Sequence, residues 1–378
     1  RWGGPPGDAS RFMETELLPT LAARDVAVTD LDGDGIADIV FANHHDGTGS
    51  LDVDSIVYWG TASGYDASVS TALPTHGATD VLVADLDADG RTDIVFCNSG
   101  TGLESEPDGA TDSYVYWNTG MAAPFEVGER TAFPTEGCAS VHAADANADG
   151  TLDLFFAGWH DGAGGRVESR AFISAPGRSR HRDSASTLLP DPFTWQVLPG
   201  DVDGDGLTDL VVLPWQDPVT GSWETPGRSL YGVDAAVPTW STTQSSLLPS
   251  AGGGNGVLAD LNLDGFDDVI LPGYRDDTGV TAPGTTLWFG RPSGLSTSAT
   301  FVLDTPNART VAAGDVDRDG LLDLVFLGST AEDVAAEAFV YIAAEPPSPT
   351  SGYDTLPNRS LGGVHVTLAP PLLVGPPD

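Results

Sequence analysis

Short apolar runs recur along the chain, too brief for helices and too regularly spaced for a disordered segment. Six of them are rich in β-branched and aromatic residues: Ile39-Val40-Phe41, Ile94-Val95-Phe96, Leu154-Phe155-Phe156, Leu210-Val211-Val212, Val269-Ile270-Leu271 and Leu324-Val325-Phe326. Each lies in a segment of 4–6 residues bounded by turn residues, as buried strands do. A shorter apolar run precedes each, as at Val26–Thr29, Val81–Ala84 and Val311–Ala313. Roughly a dozen residues later comes a third run, such as Val57-Tyr58-Trp59, Val115-Tyr116-Trp117, Leu287-Trp288-Phe289 or Phe339-Val340-Tyr341. A looser fourth segment follows. The pattern predicts units of four short strands. No apolar window of 18 residues exists, so no transmembrane helix is expected.

Polar positions repeat in register with these runs. The motif Asp-x-Asp/Asn-x-Asp-Gly-x-x-Asp begins at Asp30, Asp85, Asp145, Asp201, Asp260 and Asp315, at intervals of 55, 60, 56, 59 and 55 residues. A Pro precedes each copy: Pro19, Pro74, Pro134, Pro190 and Pro249 stand 11 residues before the first Asp, and Pro306 stands 9 before. Repeats of this period with four strands each are read as blades of a β-propeller. At the C-terminus Leu356-Pro357 repeats the Leu-Pro marker and Val364-His365-Val366-Thr367 copies the first strand, but Leu368 replaces the first loop Asp. At the N-terminus Arg1-Trp2-Gly3 through Leu18-Pro19 aligns without a gap to Tyr58-Trp59-Gly60 through Leu73-Pro74. The expectation is therefore all-β: one domain over residues 1–378, a seven-bladed β-propeller of four-stranded blades. Its last blade would be closed jointly by residues 1–19 and 356–378, which leaves no open sheet edge.

The motif has the chemistry of a calcium loop. Ca²⁺ takes six to eight oxygen ligands at about 2.3–2.6 Å, with carboxylates at alternating positions of a tight turn. Position 1 is Asp30, Asp85, Asp145, Asp201, Asp260 and Asp315; position 3 is Asp32, Asp87, Asn147, Asp203, Asn262 and Asp317. Position 5 is Asp34, Asp89, Asp149, Asp205, Asp264 and Asp319, and position 6 is Gly in every copy. Position 7 varies freely (Ile36, Arg91, Thr151, Leu207, Phe266, Leu321), as a backbone-carbonyl ligand allows. Position 9 closes with Asp38, Asp93, Asp153, Asp209, Asp268 and Asp323. Four carboxylates so close repel without a cation. The loop is not an EF-hand, which needs Glu at position 12 and flanking helices.

These repeats resemble FG-GAP/VCBS repeats, the units of the integrin α-subunit head and of many bacterial surface proteins, and the resemblance covers essentially the whole chain. It implies a seven-bladed propeller with calcium in the hairpin joining strands 1 and 2 of several blades. Two departures are visible. Six loops are intact, where integrin heads usually retain three or four, and the Phe-Gly/Gly-Ala-Pro signature is poorly kept. The resemblance therefore points to the bacterial, integrin-like branch.

Composition sharpens the picture. The chain carries 55 acidic and 16 basic residues, a net charge of −39, and every basic residue is Arg. Such a field repels nucleic acid and anionic membranes. Twenty-two of the acidic residues are accounted for by the loop positions. The sequence opens on Arg1 without Met or a leader pattern, the mark of a mature or excised segment. Cys97 and Cys138 either bridge neighbouring repeats or stand as two buried thiols.

The calcium reads as structural, about six ions. Binding then falls to the loops joining strands 2 to 3 and 4 to 1, on the face opposite the calcium hairpins. The 2–3 loops hold His44, His45, Trp159, His160, Trp215, Tyr274 and Arg275 beside Asp and amide groups. They suit a glycan or a protein partner, or the aromatics simply cap the blade edge. No His-Glu-x-x-His or Gly-x-Ser-x-Gly pattern and no phosphate-cradling loop occurs, so no catalytic residue is assigned. The expected function is a calcium-stabilised, secreted or cell-surface binding and adhesion propeller for an extracellular protein or glycan. As an isolated domain it is expected to be monomeric. The alternative is a carbohydrate-active enzyme of the polysaccharide-lyase kind, for which the only Arg cluster is Arg178, Arg180 and Arg182.

Overall fold

The computed structural model describes residues 17–362, apart from 105, 122–123, 160–166, 175–185, 193, 218–219, 250–253, 275, 278–283, 297, 299–300, 306, 330–335 and 344–358. Among the described residues no helix is long and apolar enough to cross a membrane. The strands form six antiparallel four-stranded sheets. Blade 1 is Ala23–Thr29, Asp38–Asn43, Asp54–Thr61 and Gly64–Pro74; blade 2 is Ala78–Ala84, Asp93–Asn98, Asp112–Tyr116 and Thr131–Pro134. Blade 3 is Cys138–Ala144, Asp153–Gly158, Glu168–Phe172 and Ser186–Pro192; blade 4 is Thr194–Gly200, Asp209–Pro214, Gly227–Asp234 and Thr239–Leu248. Blade 5 is Val257–Ala259, Asp268–Leu271, Thr285–Trp288 and Phe301–Leu303; blade 6 is Ala308–Gly314, Asp323–Ser329, Ala336–Tyr341 and Arg359–Gly362. A small ribbon, Thr101–Leu103 with Glu106–Asp108, stands in blade 2's 2–3 connection.

The second strands are apolar at successive positions because each sheet is covered on both faces. Side chains alternate across a strand, so in blade 2 Ile94 and Phe96 pack with blade 1 residues such as Val40 and Val57. Val95 and Cys97 pack with blade 3 residues such as Val141 and Phe156. The same sharing joins blades 3 and 4 and blades 5 and 6. The Leu-Pro marker also acquires a physical meaning. Leu73, Phe133, Leu189, Leu248 and Leu303 end or nearly end the fourth strands and are buried. The next position offers its carbonyl to the following blade's third-strand Tyr: Tyr116 Oη donates to Pro74 O at 2.6 Å and Tyr341 Oη to Asp304 O at 3.0 Å. The sixth marker is thus Leu303-Asp304, in step with the others, which explains why Pro306 is displaced by two residues.

The blade count corrects the sequence expectation: among the described residues the propeller has six four-stranded blades, not seven. Arg359–Gly362, counted towards a seventh blade, runs antiparallel to Glu337–Val340 and is the outer strand of blade 6. Residues 17–20 form no strand, although Pro19 O still accepts the Tyr58 hydroxyl. The other half of that expectation, residues 1–16 and 363–378, lies outside the described residues. Repeat arithmetic shows that a unit is begun. Whether it becomes a sheet depends on pairing that spacing does not encode.

Candidate functional site

Each motif loop joins the first two strands of its blade, and all six use one hydrogen-bonding scheme. The position 9 Asp is the pivot. In blade 1 the Leu31 N–H donates to Asp38 Oδ2 at 2.8 Å and the third-strand Gly60 N–H donates to Oδ1 at 2.7 Å. Blade 5 repeats this, Leu261 N–H to Asp268 Oδ2 at 3.0 Å and Gly290 N–H to Oδ1 at 2.9 Å. Asp93, Asp153, Asp209 and Asp323 make the same pair of bonds. All six are essentially inaccessible to solvent. Position 1 accepts from the position 6 Gly N–H, as Asp30 does from Gly35 at 2.8 Å. Position 5 accepts from the position 7 N–H, as Asp34 does from Ile36 at 2.7 Å. Gly at position 6 is required, with φ between +81° and +90° in every loop. Position 4 is also left-handed in every loop, yet Ala88, Ala148, Leu263 and Arg318 occupy it in four of them. This strain, about 1–2 kcal/mol for a non-Gly residue, is invisible in the motif.

The donor set fits a hard cation. In blades 1, 2, 4 and 6, positions 1, 3 and 9 bring one carboxylate oxygen each within 4.8 Å of one another: Asp30, Asp32, Asp38; Asp85, Asp87, Asp93; Asp201, Asp203, Asp209; Asp315, Asp317, Asp323. In blades 3 and 5 the amides Asn147 and Asn262 stand at position 3, each donating to the position 5 carboxylate. Burial, opposed by the two backbone N–H bonds and reinforced by neighbouring carboxylates, pushes Asp93, Asp209 and Asp268 up to about 7. A divalent cation removes that cost, because it favours the ionised form. Arg91, at position 7 of the second loop, turns its guanidinium onto Asp89, so that loop carries a cation of its own. Asp267 accepts from the Asp201 N–H at 2.9 Å and ties the fifth loop to the fourth.

The first strands of the blades line a cavity of about 620 Å³ to which all six blades contribute, with Trp159, Trp195 and Trp215 also in its wall. Five residues before each first loop Asp stands a polar residue: Asp25, Asp80, Ser140, Gln196, Asn255 and Thr310. A bulge marks this position in five first strands, between Ala23/Asp25, Ala78/Asp80, Cys138/Ser140, Thr194/Gln196 and Ala308/Thr310. The bulge re-aims the side chain, and at three of the five positions it bonds the next blade, whereas the buried Ser140 and Thr310 hydroxyls make no such bond. Asp25 Oδ2 accepts from Val81 N–H at 2.8 Å, Asp80 Oδ2 from Val141 N–H at 2.7 Å, and Gln196 Oε1 from Gly256 N–H at 2.8 Å. Burial and the adjoining Asp80 carboxylate raise the Asp25 carboxyl well above its ordinary range. Sequence reasoning missed this ring, because its residue types vary and only its distance from the motif is constant.

The residues expected to bind fall into two groups. Trp159, Trp215 and Tyr274 come together, joined by Trp195 and Trp223, which the sequence reading did not select. His44 and His45 sit elsewhere, with Arg24 and Glu104. His44 is buried, and desolvation together with Arg24 pushes it down to about 4, so it is a neutral packing residue at physiological pH. His160 and Arg275 lie outside the described residues, as do Arg178, Arg180 and Arg182. Cys97 and Cys138 form a disulfide that crosses from blade 2 to blade 3, with Cα atoms 5.5 Å apart.

Six sheets sharing their faces, with an acidic hairpin at one end of each inner strand pair, define a β-propeller with candidate metal loops. Residues 30–96, from the first loop through the second, match the family model of the FG-GAP-like repeat. With the blade arrangement, this match supports an FG-GAP repeat propeller. No curated protein matches the chain. Among solved structures the chain is similar to the crystal structure of the V. cholerae biofilm matrix protein Bap1, at 13% identity and a TM-score of 0.30, over 88% of this chain and 38% of that one. The chain thus spans well under half of that protein's length, and no function is taken from it.

Proposed function

We propose that the chain is a calcium-stabilised binding propeller that works outside the cytoplasm as a single domain. Recognition of an extracellular protein or glycan would occur on the face opposite the metal loops. The observation that carries this reading is the aromatic group beside the cavity, built from separate blades, in which four Trp keep part of their surface exposed over a buried Tyr274. About six Ca²⁺ ions would be held by the motif positions, with position 9 closing each site, and the ions would fix the hairpins rather than react. The disulfide agrees with an oxidising compartment. The charge of −39 argues against nucleic acid and anionic membranes as partners.

The test is capture by the immobilised, calcium-loaded chain of ligands from a glycan array and from a cell-surface extract. Capture that is lost in EGTA and reduced by Trp215→Ala supports the reading. Capture that is indifferent to Trp215→Ala would place recognition elsewhere and sink it.

A further inference from the structure

Four Trp and one Tyr from three consecutive blades meet beside the cavity, with Trp159, Trp195 and Trp215 in its wall and Trp223 and Tyr274 packed behind Trp215. Trp159 follows the second strand of blade 3, Trp195 lies in the first strand of blade 4, and Trp215 and Trp223 belong to blade 4's 2–3 connection. Tyr274 follows the second strand of blade 5. Ring centroids of Trp195 and Trp215 are 4.9 Å apart, and Trp215 stacks on Tyr274 at 5.7 Å and 28°. Trp159 stands perpendicular to Trp195 at 5.3 Å, and Trp223 stands steeply against both Trp215 and Tyr274 at 5.5 and 5.9 Å. The result is a stepped wall in which Trp215 is the central plate.

The wall is held in place before any ligand arrives. Asp277 of blade 5 accepts from the Trp223 N–H at 2.5 Å and from the Ser222 hydroxyl at 2.8 Å. Asp217 accepts from the Thr220 N–H and closes the loop through the Gly221 N–H and its own N–H to Ser222 O. Preorganisation of this kind lowers the ordering cost of binding. Trp159 and Trp195 pack by part of their surface against the core shared by blades 3 and 4, and Tyr274 is buried, while Trp159, Trp195, Trp215 and Trp223 each keep some surface exposed.

Polar groups stand beside the aromatic faces. Asn255 accepts from Trp195 Nε1 at 2.6 Å through Oδ1, and Gln196 uses Oε1 towards blade 5, so each carries an amide NH₂ as donor. The Arg309 guanidinium lies 4.4 Å over Tyr274 and donates to its hydroxyl. We propose that this basin binds neutral hexopyranose units of a glycan, one ring lying on Trp215, an assignment that rests on the binding reading above. A pyranose offers a flat C–H face to an indole and ring hydroxyls to amides and carboxylates, the pairing of apolar wall and few polar groups found in small-ligand sites. The cavity, at about 620 Å³, falls in the range of roughly 300–1,000 Å³ for such sites.

Charge selects the neutral class. Asp217, Asp276 and Asp277 surround the aromatic loops in a chain of net charge −39, so a uronate polymer meets repulsion. A cationic side chain is drawn by that field, but the Tyr274 face already carries Arg309, which supplies the basin's positive charge from within.

The test uses the calcium-loaded full chain and follows tryptophan fluorescence and titration heat with three kinds of probe. These are neutral hexamers (cellohexaose, maltohexaose and β-1,4-galactohexaose), hexagalacturonate, and hexa-arginine. The expected result is saturable binding of at least one neutral hexamer, weakened at least tenfold by Trp215→Ala and largely kept by Trp215→Phe. Both variants should melt as the parent does in calcium. Preference for hexagalacturonate or hexa-arginine over every neutral hexamer would overturn the neutral-glycan assignment while leaving the binding propeller intact. Binding of a neutral hexamer that Trp215→Ala does not weaken would overturn the assignment to this basin. Absence of binding by any probe would overturn the assignment as well, whereas the binding reading fails only if Trp215→Ala also leaves array and extract capture unchanged.

Discussion

Asp268→Ala separates what the position 9 carboxylate does for the fold from what it does for a metal. The residue is 1% exposed, and its two oxygens receive the Leu261 and Gly290 N–H groups at 3.0 and 2.9 Å. Removing it strands two buried donors at about 1–3 kcal/mol each, so about 2–6 kcal/mol together. Asp264, at position 5 of the same loop, is exposed and its bond to Phe266 N–H faces solvent. Asp264→Ala should therefore cost the fold little and the metal site much. Guanidinium unfolding in EGTA at pH 5.5, where Asp268 is protonated and no buried charge is relieved, should show Asp268→Ala low by that amount and Asp264→Ala within about 0.5 kcal/mol of the parent. At pH 7.5 in calcium at about a hundredfold its dissociation constant, each variant should additionally lose about 2.7 kcal/mol of ligand linkage. A neutral Asp268→Ala in EGTA would refute the pivot argument. Equal losses by both variants in EGTA would refute the division of labour within the loop.

Chelation of the parent should lower its melting temperature by tens of degrees, and an unchanged melt in EGTA would remove structural calcium from the account. Burial raises Asp93, Asp209 and Asp268 to about 7, so between about pH 4 and 7 the calcium-free fold binds more protons than the unfolded chain. Its stability should fall as pH rises through that window, while calcium, which needs the ionised form, should reverse the slope; parallel pH profiles with and without calcium would contradict this. Leu263→Gly relieves a non-Gly residue at φ +59° and should stabilise by about 0.5–1 kcal/mol after the entropy of Gly is offset, measurable as a higher denaturation midpoint. Reducing the Cys97–Cys138 bridge, which spans 41 residues, should cost about 4 kcal/mol on the chain-entropy account, checked by unfolding the Cys97→Ser/Cys138→Ser variant.

Much of this molecule was legible in its residues. The β-branched triplets, the nine-residue acidic motif and the period near 55–60 residues specify blades, hairpins and the acidic loops at their turns, because each depends on contacts within one repeat. Gly at position 6 announces the left-handed turn locally. The features that escaped arise between repeats. Asp25, Asp80 and Gln196 each reach across to an N–H of the next blade. Trp195 and Trp223 gain meaning only beside Trp159, Trp215 and Tyr274. Cys97 and Cys138 left two readings open until adjacent blades set their Cα atoms 5.5 Å apart. The blade number belongs to the same class. Arg359–Gly362 pairs with Glu337–Val340 as the outer strand of blade 6, and strand partnership is decided by edge geometry, which a repeat spacing does not contain. A sequence determines what each unit can form, because side-chain alternation and turn chemistry act over a few residues. Only the tertiary structure decides which units meet, because those choices are settled by surfaces that exist once the sheets have formed.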